Sequence, residues 1–177
     1  MEALKKEKIF TVDDIYSLPD EERAELIDGK IYYIAPPNTK HQRLLNYINT
    51  EINMYIRKNN GECEVFPAPF AVFLNEDDIN YVEPDISVIC NRDKITDKGC
   101  SGAPDRIIEI VSPSSKAMDY FTKLFKYRTA GVREYWIVDS TKKRITVYSF
   151  ENETMEEYSF GGEVPVGIYG VFSIKVE

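Results

Sequence analysis

Residues 106–111, RIIEIV, constrain the fold more than any other segment of the sequence. In a β-strand, successive side chains point to opposite faces, so Ile107, Glu109 and Val111 share one face while Ile108 and Ile110 share the other. Both faces are apolar, which predicts a central strand that is covered on both sides. Glu109 is then a carboxylate at a buried position, where an ionised group needs a cationic partner or a metal ion.

The remaining pattern predicts one sheet flanked by helices. Predicted strands also lie at 63–75, 85–90, 134–140 and 144–150. Amphipathic helices are predicted at 38–61 and 114–131, and AELI-DG-KIYYI reads as a hairpin about an Asp-Gly turn. This order predicts a mixed α/β fold with a central sheet. We expect a single domain over 1–177, with a core at about 10–150 and a C-terminal β extension at 151–177 that adds edge strands or a flap.

The two helices differ in their predicted buried faces. In the first helix the apolar stripe consists of Leu44, Leu45, Ile48, Ile52, Tyr55 and Ile56. In the second helix the predicted apolar face consists of Met118, Phe121, Leu124 and Phe125. Asp119, Lys123 and Tyr127 follow one another at intervals of four on an adjacent face.

Composition narrows the functional classes. The net charge of -8 argues against a binder that relies on charge alone to hold nucleic acid. The same net charge does not exclude an enzyme that binds nucleic acid through a local basic patch or a bridging metal ion. Three cysteines without a CxxC pair are expected to be reduced thiols, and no segment resembles a secretory signal or a membrane span. We therefore expect a cytoplasmic protein with no membrane partner, and we place Trp136 in the core.

Two acids and a lysine form the candidate site. Asp85 follows Pro84 at the start of an apolar strand, and Glu109 lies within the next long strand. If these strands are neighbours, the two carboxylates approach each other in a way that suits Mg²⁺. Lys123 follows on the second helix and would stabilise the charge that develops on a phosphate.

These segments resemble a known family. Pro84-Asp85 followed by Glu109 is similar to the PD-(D/E)XK nuclease superfamily. The stretches EPDISVIC, GAPDRIIEIVSPSS and DYFTKLFKYRTAGVREYWIVDS, together with AELIDGKIYYIAPPNTKHQ, resemble the bacterial Uma-two-type restriction endonuclease family over about residues 10–150. The resemblance implies a restriction-endonuclease-like fold, bound Mg²⁺ or Mn²⁺, a DNA substrate and a homodimer.

The resemblance also implies roles for individual residues. Asp85 and Glu109 match the metal-binding acids, and Lys123 matches the family's lysine. Glu25 matches a position that could complete the metal site, and His41 matches a family position without a defined role. The superfamily pattern puts lysine two residues after the second acid, where this chain has a valine, so the lysine would have to come from the helix.

Each residue also has a structural interpretation. Asp85 can be a turn residue before a strand. Glu109 can belong to a structural ion pair, and Lys123 can be an ordinary helical partner of Asp119. Glu25 can be exposed beside the hairpin, and His41 can face solvent at a helix start. A second Pro-Asp pair ends in Asp105, which is about 13 Å along the strand from Glu109 and too far away to share an ion with it. We therefore interpret Asp105 as a structural residue at the start of the strand.

The sequence supports three hypotheses. The first is a Mg²⁺- or Mn²⁺-dependent endonuclease that hydrolyses phosphodiester bonds in DNA. Asp85, Glu109 and the Ile110 carbonyl would bind the metal, and Lys123 would assist the attack of water. The second is an inactive nuclease-fold protein that serves as an interaction or assembly module, in which Lys123 would point away from the acids. The third is an enzyme acting on another phosphate ester.

A basic rim is also expected near the site. Its members are Lys40, Arg43, Lys116, Lys123, Lys126 and Arg128.

Overall fold

The computed structural model describes residues 8–112 and 115–177. The first half contains the elements α1 (Val12–Tyr16), β1 (Ala24–Ile27), β2 (Lys30–Tyr33), α2 (Thr39–Lys58), β3 (Glu64–Pro67), β4 (Val72–Phe73) and β5 (Ile86–Ile89). The second half contains β6 (Ile95–Thr96), β7 (Gly99–Ser101), β8 (Arg106–Ile110), a π-helical turn (Met118–Lys123), α3 (Leu124–Ala130), β9 (Glu134–Asp139), β10 (Arg144–Ser149), β11 (Thr154–Ser159), β12 (Glu163–Pro165) and β13 (Ser173–Lys175). In the described ranges, no helix combines the length and the apolar character needed to cross a bilayer.

A six-stranded mixed sheet forms the centre of the fold, with the strand order β11-β10-β9-β8-β5-β3. Strands β8 and β9 pair in parallel, and their neighbours in this sheet are antiparallel. The predicted mixed α/β architecture is therefore confirmed, and β8 is an interior strand as its two apolar faces indicated.

The two faces of the sheet carry separate cores. On one face, Ile108, Ile110 and Trp136 pack under α2 and the C-terminal extension. On the other face, Ile107 and Val111 pack with residues of α3 and of the strands around it. Trp136 is fully buried as predicted, so the side chains of β8 alternate between two hydrophobic layers with Glu109 on the second.

The hairpin and α2 match their predicted positions. β1 and β2 pair in register across Asp28-Gly29, and both turn residues have positive φ, which suits a primed two-residue turn. Gly29 has a second reason to be glycine, because a Cβ there would lie 2.5 Å from Ile9 Cγ2. Asn38 caps α2 by accepting a hydrogen bond from the His41 amide at 2.9 Å, which fixes the first turn of the helix.

The predicted apolar face of the second helix is wrong for its two phenylalanines, whereas Met118 and Leu124 pack against the core. Phe121 and Phe125 are 74% and 65% exposed, whereas Asp119, Lys123 and Tyr127 are buried toward the sheet. The polar face is buried because it meets carboxylates from other segments, which provide the partners that a buried lysine requires. A π-helical turn over Met118–Lys123 precedes the regular α3, and such turns are frequent at functional sites.

The expectation of three reduced cysteines is also wrong. Cys63 and Cys90 form a disulfide, and Cys100 is free and buried. The pairing follows from the sheet, since the β3–β5 register ends with Glu64 opposite Ile89. Cys63 precedes β3 and Cys90 follows β5, so the next pair of residues in the same register is the two cysteines.

The C-terminal segment extends the sheet and covers one of its faces. β11 pairs with β10 as an edge strand, and β12 with β13 forms a separate hairpin. Val164, Ile174 and Val176 from this segment join the core beneath α2. The extension thus lies against the helix that carries His41.

Candidate active site

Asp85 and Glu109 lie on neighbouring strands at one end of the sheet. The antiparallel register of β5 and β8 pairs Ile86 with Ile108, so its continuation brings Asp85 opposite Glu109. Both side chains project from the face that carries α3. The Asp85 amide lies 3.4 Å from Glu109 Oε2, so the Glu109 carboxylate reaches the main chain of Asp85.

The main chain of Ile110 adjoins the acid pair. Its amide donates to Asp85 Oδ2 at 2.7 Å. One further step of the register places Ile110 opposite Pro84. Proline has no N–H, so it cannot donate the hydrogen bond that the Ile110 carbonyl would accept in a regular ladder. The Ile110 carbonyl, predicted as a metal ligand, lies next to the acids, where it also faces the His41 imidazole.

His41 contacts the same carboxylate. Its Nε2 lies 3.1 Å from Asp85 Oδ2, and both side chains are largely buried. Burial lowers the pKa of His41, but the hydrogen bond and the charge of Asp85 outweigh it, so the pKa is raised overall. The imidazole thus reaches the site from the first turn of α2 and holds Asp85 Oδ2.

Lys123 points into the acid cluster from the π-helical turn. Its Nζ lies 2.9 Å from Glu109 Oε1 and 2.8 Å from Glu25 Oε2. Asp119, one turn before it, is 3.9 Å away. Glu25 is 5% exposed, so the interpretation of an exposed residue beside the hairpin does not hold. The structure therefore brings Glu25, Asp85, Glu109 and Lys123 together, with His41 at the Asp85 end.

Two residues of the cluster were not assigned to the site from the sequence. The Tyr127 hydroxyl donates to Glu109 Oε1 at 2.7 Å, and the Tyr135 hydroxyl donates to the Asp119 carbonyl at 3.0 Å. The spacing of Asp119, Lys123 and Tyr127 did place these three on a common helical face. Only the fold reveals that this face meets the acids.

Val111 occupies the position where the superfamily pattern has lysine. It shares the face of Glu109 and is 8% exposed within the apolar layer that also holds Tyr127 and Val132. A cation at this position would have to displace part of that layer. Lys123 instead supplies the ammonium group from the helix above, which gives a physical basis for the displaced lysine.

The cluster carries more negative than positive charge. Burial raises the pKa of Glu109 to about 8, and the neighbouring acids add to this while Lys123 acts in the opposite direction. Burial likewise raises the pKa of Asp119 to about 6. Burial lowers the pKa of Lys123, but Glu109, Glu25 and Asp119 outweigh it, so its pKa is well above the usual range. Lys123 is therefore a permanent cation surrounded by an excess of carboxylates.

The donor set fits a hard divalent cation. Within residues 8–112 and 115–177, no three acidic, histidine or cysteine side chains form a group that could hold a metal ion by themselves. Mg²⁺ does not require such a group, because it commonly takes one or two carboxylates and keeps several waters. Asp85 and Glu109 with the Ile110 carbonyl match that requirement, and the excess of acid favours an added positive charge.

Asp105, the aspartate of the second Pro-Asp pair, forms a hydrogen bond with the main chain. Its Oδ2 accepts from the Cys90 amide at 2.7 Å, and its Oδ1 lies 3.3 Å from Arg133. It precedes β8 at the end opposite to Glu109. Its expected structural role agrees with these contacts.

The mixed sheet thus presents two opposed carboxylates and a helix-borne lysine at one end. The profile of the Uma2 family, described as "Putative restriction endonuclease", matches residues 12–171. The chain therefore belongs to the Uma2 family, and the resemblance drawn from the sequence is confirmed.

Individual relatives agree with this assignment. The uncharacterized proteins sll1609 and slr1290 of Synechocystis sp. are each 27% identical to the chain, over 146 and 129 residues. These matches cover 80% and 72% of the chain, and 81% and 66% of the two relatives. The crystal structure of a putative nuclease belonging to DUF820 from Anabaena variabilis has the same fold, with a TM-score of 0.76, 23% identity and 94% of each chain covered.

Proposed function

We propose that the protein is a Mg²⁺- or Mn²⁺-dependent endonuclease that hydrolyses phosphodiester bonds in DNA. The observation that carries the proposal is the in-register pair Asp85 and Glu109, with Lys123 Nζ 2.9 Å from Glu109. Membership of the Uma2 family, described as "Putative restriction endonuclease", supports the same chemistry. DNA as the substrate and a homodimer as the working form are expected from that family.

Asp85 and Glu109, with the Ile110 carbonyl, would hold the metal ion. When bound, the ion would draw charge from the scissile phosphate and lower the pKa of an attacking water. His41 would orient Asp85 through its contact with Oδ2. The Ile110 amide holds the same oxygen, so the carboxylate is fixed from two sides and needs little reorganisation when it binds a cation.

Lys123 would position the attacking water and stabilise the negative charge that develops on the phosphate. Its raised pKa keeps it protonated, so it acts as a hydrogen-bond donor and a charge rather than as the base. Glu25 would be a positioning residue, since it holds the other side of the Lys123 ammonium at 2.8 Å. This contact favours positioning over a second metal site for Glu25.

The geometry favours a nuclease over the inactive interaction module. An inactive module requires no convergence of Lys123 with the acids, and was expected to turn the lysine away. The Lys123 ammonium instead contacts both Glu25 and Glu109. An enzyme for another phosphate ester would use the same groups and is separated from a nuclease by its substrate.

Cleavage assays test the proposal. We expect supercoiled plasmid or single-stranded DNA to be cut in Mg²⁺ or Mn²⁺ and to stay intact in EDTA. Glu109→Ala should abolish cleavage, because half of the metal-binding carboxylate pair is lost. Equal rates for the wild type and Glu109→Ala would contradict the proposal, and turnover of nucleotides without DNA cleavage would assign the site to another ester.

Metal affinity is expected to rise with pH. Glu109 must lose its proton to bind a cation, and burial raises its pKa to about 8. Below that pH, the affinity for Mg²⁺ should therefore fall by up to about tenfold per pH unit, and binding should release a proton. Calorimetry at about pH 6.5, 7.5 and 8.5, in buffers of different ionisation enthalpy, measures both effects. An affinity that is constant over this range would contradict the assignment of Glu109.

A further inference from the structure

A cleft lies beside the candidate active site, between the first half of α2 and the C-terminal extension. Its volume is about 360 Å³, within the range of about 300–1,000 Å³ that is typical of ligand pockets. Its lining consists of Lys40, Arg43, Leu44, Tyr47, Phe160 and Glu177. The roles proposed for the acid site use none of these residues.

The cleft and the acids share one end of the central sheet. Lys40 Nζ donates to the carbonyl of Ser140 at 2.9 Å, directly after β9, whose Ile137 pairs with Glu109. Phe160 directly follows β11, three strands from β8 in the sheet order. With neighbouring strands about 4.8 Å apart, this separation is roughly 14 Å. The acids project from the face that carries α3 and the cleft opens on the face that carries α2, so a nucleic-acid strand that contacts both has to pass around this end of the sheet.

Two cations, Lys40 and Arg43, line one end of the cleft on a protein whose net charge is -8. Lys40 donates to a carbonyl and not to a carboxylate, and within the described part of the chain Arg43 has no acid at ion-pair distance. Glu177 is the acid in the lining, but it is exposed and pairs with Lys175 at 3.2 Å. Glu51, Glu163 and Glu177 act on Tyr47 at the other end of the cleft, so the charge that complements a phosphate is that of Lys40 and Arg43.

Aromatic rings stand beside these cations. Tyr47 is 39% exposed, and its hydroxyl donates to the Lys175 carbonyl at 2.8 Å, which restrains the ring. Phe160 is half-buried against the core under α2. Aromatic side chains next to a cationic groove are the combination with which proteins hold single-stranded nucleic acid, because every base offers a face for stacking.

We propose that this cleft binds an unpaired nucleotide of the DNA strand, a few positions from the scissile phosphodiester. The base lies against Tyr47 and Phe160, and its phosphate lies against Lys40 and Arg43. The inference rests on the proposed nuclease function and makes it more specific. A paired and stacked base is not free to enter the cleft, so the preferred substrate is single-stranded or locally unpaired DNA.

Binding of a fluorescently labelled oligodeoxythymidine in EDTA tests the cationic part, because no cleavage occurs there. Lys40→Ala with Arg43→Ala should weaken binding about tenfold and lower the salt slope by about 1.4, or about 0.7 for each lost phosphate contact. The matched control is Arg57→Ala with Lys58→Ala, which removes the same charge from the exposed last turn of the same helix. Equal losses in the two double variants would overturn the proposal.

Tyr47→Leu and Phe160→Leu test stacking while they keep apolar volume. Each should weaken binding by about tenfold and reduce the quenching of a 2-aminopurine base placed in the strand. Three results would overturn the proposal. The first is unchanged quenching in both variants. The others are binding of fully paired duplex by the wild type that is as tight as its binding of the single strand, and binding of the matching RNA that is tighter than binding of the DNA.

The cleavage assay separates this inference from the proposed function. If the wild type cuts DNA while the cleft variants bind and cut like the wild type, the cleft assignment fails and the nuclease stands. If no DNA is cut in Mg²⁺ or Mn²⁺ while the cleft variants lose binding, the nuclease assignment fails and the cleft stands as a nucleotide-binding site.

Discussion

Asp85→Asn is expected to lower the rate of DNA cleavage by about a thousandfold or more. Asparagine keeps the shape of aspartate and can still accept the hydrogen bond from the Ile110 amide. It lacks the negative charge that would hold a divalent cation, whose effect on the transition state amounts to several kcal/mol. We would check this expectation by measuring the rate of plasmid cleavage at saturating Mg²⁺ and the affinity for Mg²⁺ by calorimetry.

The chain offers a matched control in Asp105→Asn. Asp105 also follows a proline, but it accepts a hydrogen bond from the Cys90 amide and pairs with Arg133. Its substitution should reduce stability by about 1 kcal/mol and leave Mg²⁺ affinity near that of the wild type. If the two asparagine variants lost metal affinity equally, Asp85 would have no special role, and the assignment of the site would be wrong.

Lys123→Met is expected to destabilise the protein strongly as well as to inactivate it. Methionine matches the length of lysine but leaves Glu25, Glu109 and Asp119 buried without their cation. Removing one partner of a buried ion pair costs about 3–5 kcal/mol. Urea denaturation, followed by fluorescence of the buried Trp136, measures the loss.

The loss should depend on pH. Burial raises the pKa of Glu109 to about 8 and that of Asp119 to about 6. A carboxyl whose pKa is raised on folding favours the folded state at low pH, and this contribution is lost as the pH rises toward the raised value. Lys123 lowers both pKa values, so its removal raises them further, and Lys123→Met should be nearest to the wild type at about pH 5 and furthest from it above pH 8.

Lys126→Met is the control for the loss of a positive charge from the same helix. Lys126 pairs with Asp28 of the hairpin turn, which is exposed, so its substitution should cost less than about 1 kcal/mol. Equal stability of the wild type and Lys123→Met at both pH values would contradict the view that Lys123 neutralises the acid cluster.

Local patterns in the sequence predicted much of the fold. The Asp28-Gly29 dipeptide by itself predicts the hairpin. The apolar stripe of α2 can be predicted from helical periodicity alone. The two apolar faces of β8 identified it as an interior strand and Glu109 as an unusual residue. Each of these inferences depends on residues that are close together in the chain.

Features that depend on the order of the strands could not be predicted in this way. The disulfide between Cys63 and Cys90 requires β3 and β5 to be neighbours in one particular register. The pairing of β5 with β8 was stated only as a condition for the approach of Asp85 to Glu109, and the fold meets it. Strand order arises from packing across the whole sheet, which no short segment encodes.

The buried face of the second helix could not be predicted from local sequence either. Hydrophobicity predicted that Phe121 and Phe125 would face the core, but both are exposed. Lys123 is buried instead because Glu25 and Glu109, from two distant strands, meet it there. Burial of a charge is decided by partners that only the tertiary structure brings together.

A crystal soaked in Mn²⁺ tests the central claim most directly, since anomalous scattering locates the ion independently of activity. We predict one peak within coordination distance of the Asp85 and Glu109 carboxylates and the Ile110 carbonyl, with the Lys123 ammonium facing the waters of the ion. A peak elsewhere, or no peak between Asp85 and Glu109 at millimolar Mn²⁺ above pH 8, would contradict the assignment of this site as a metal-dependent nuclease centre.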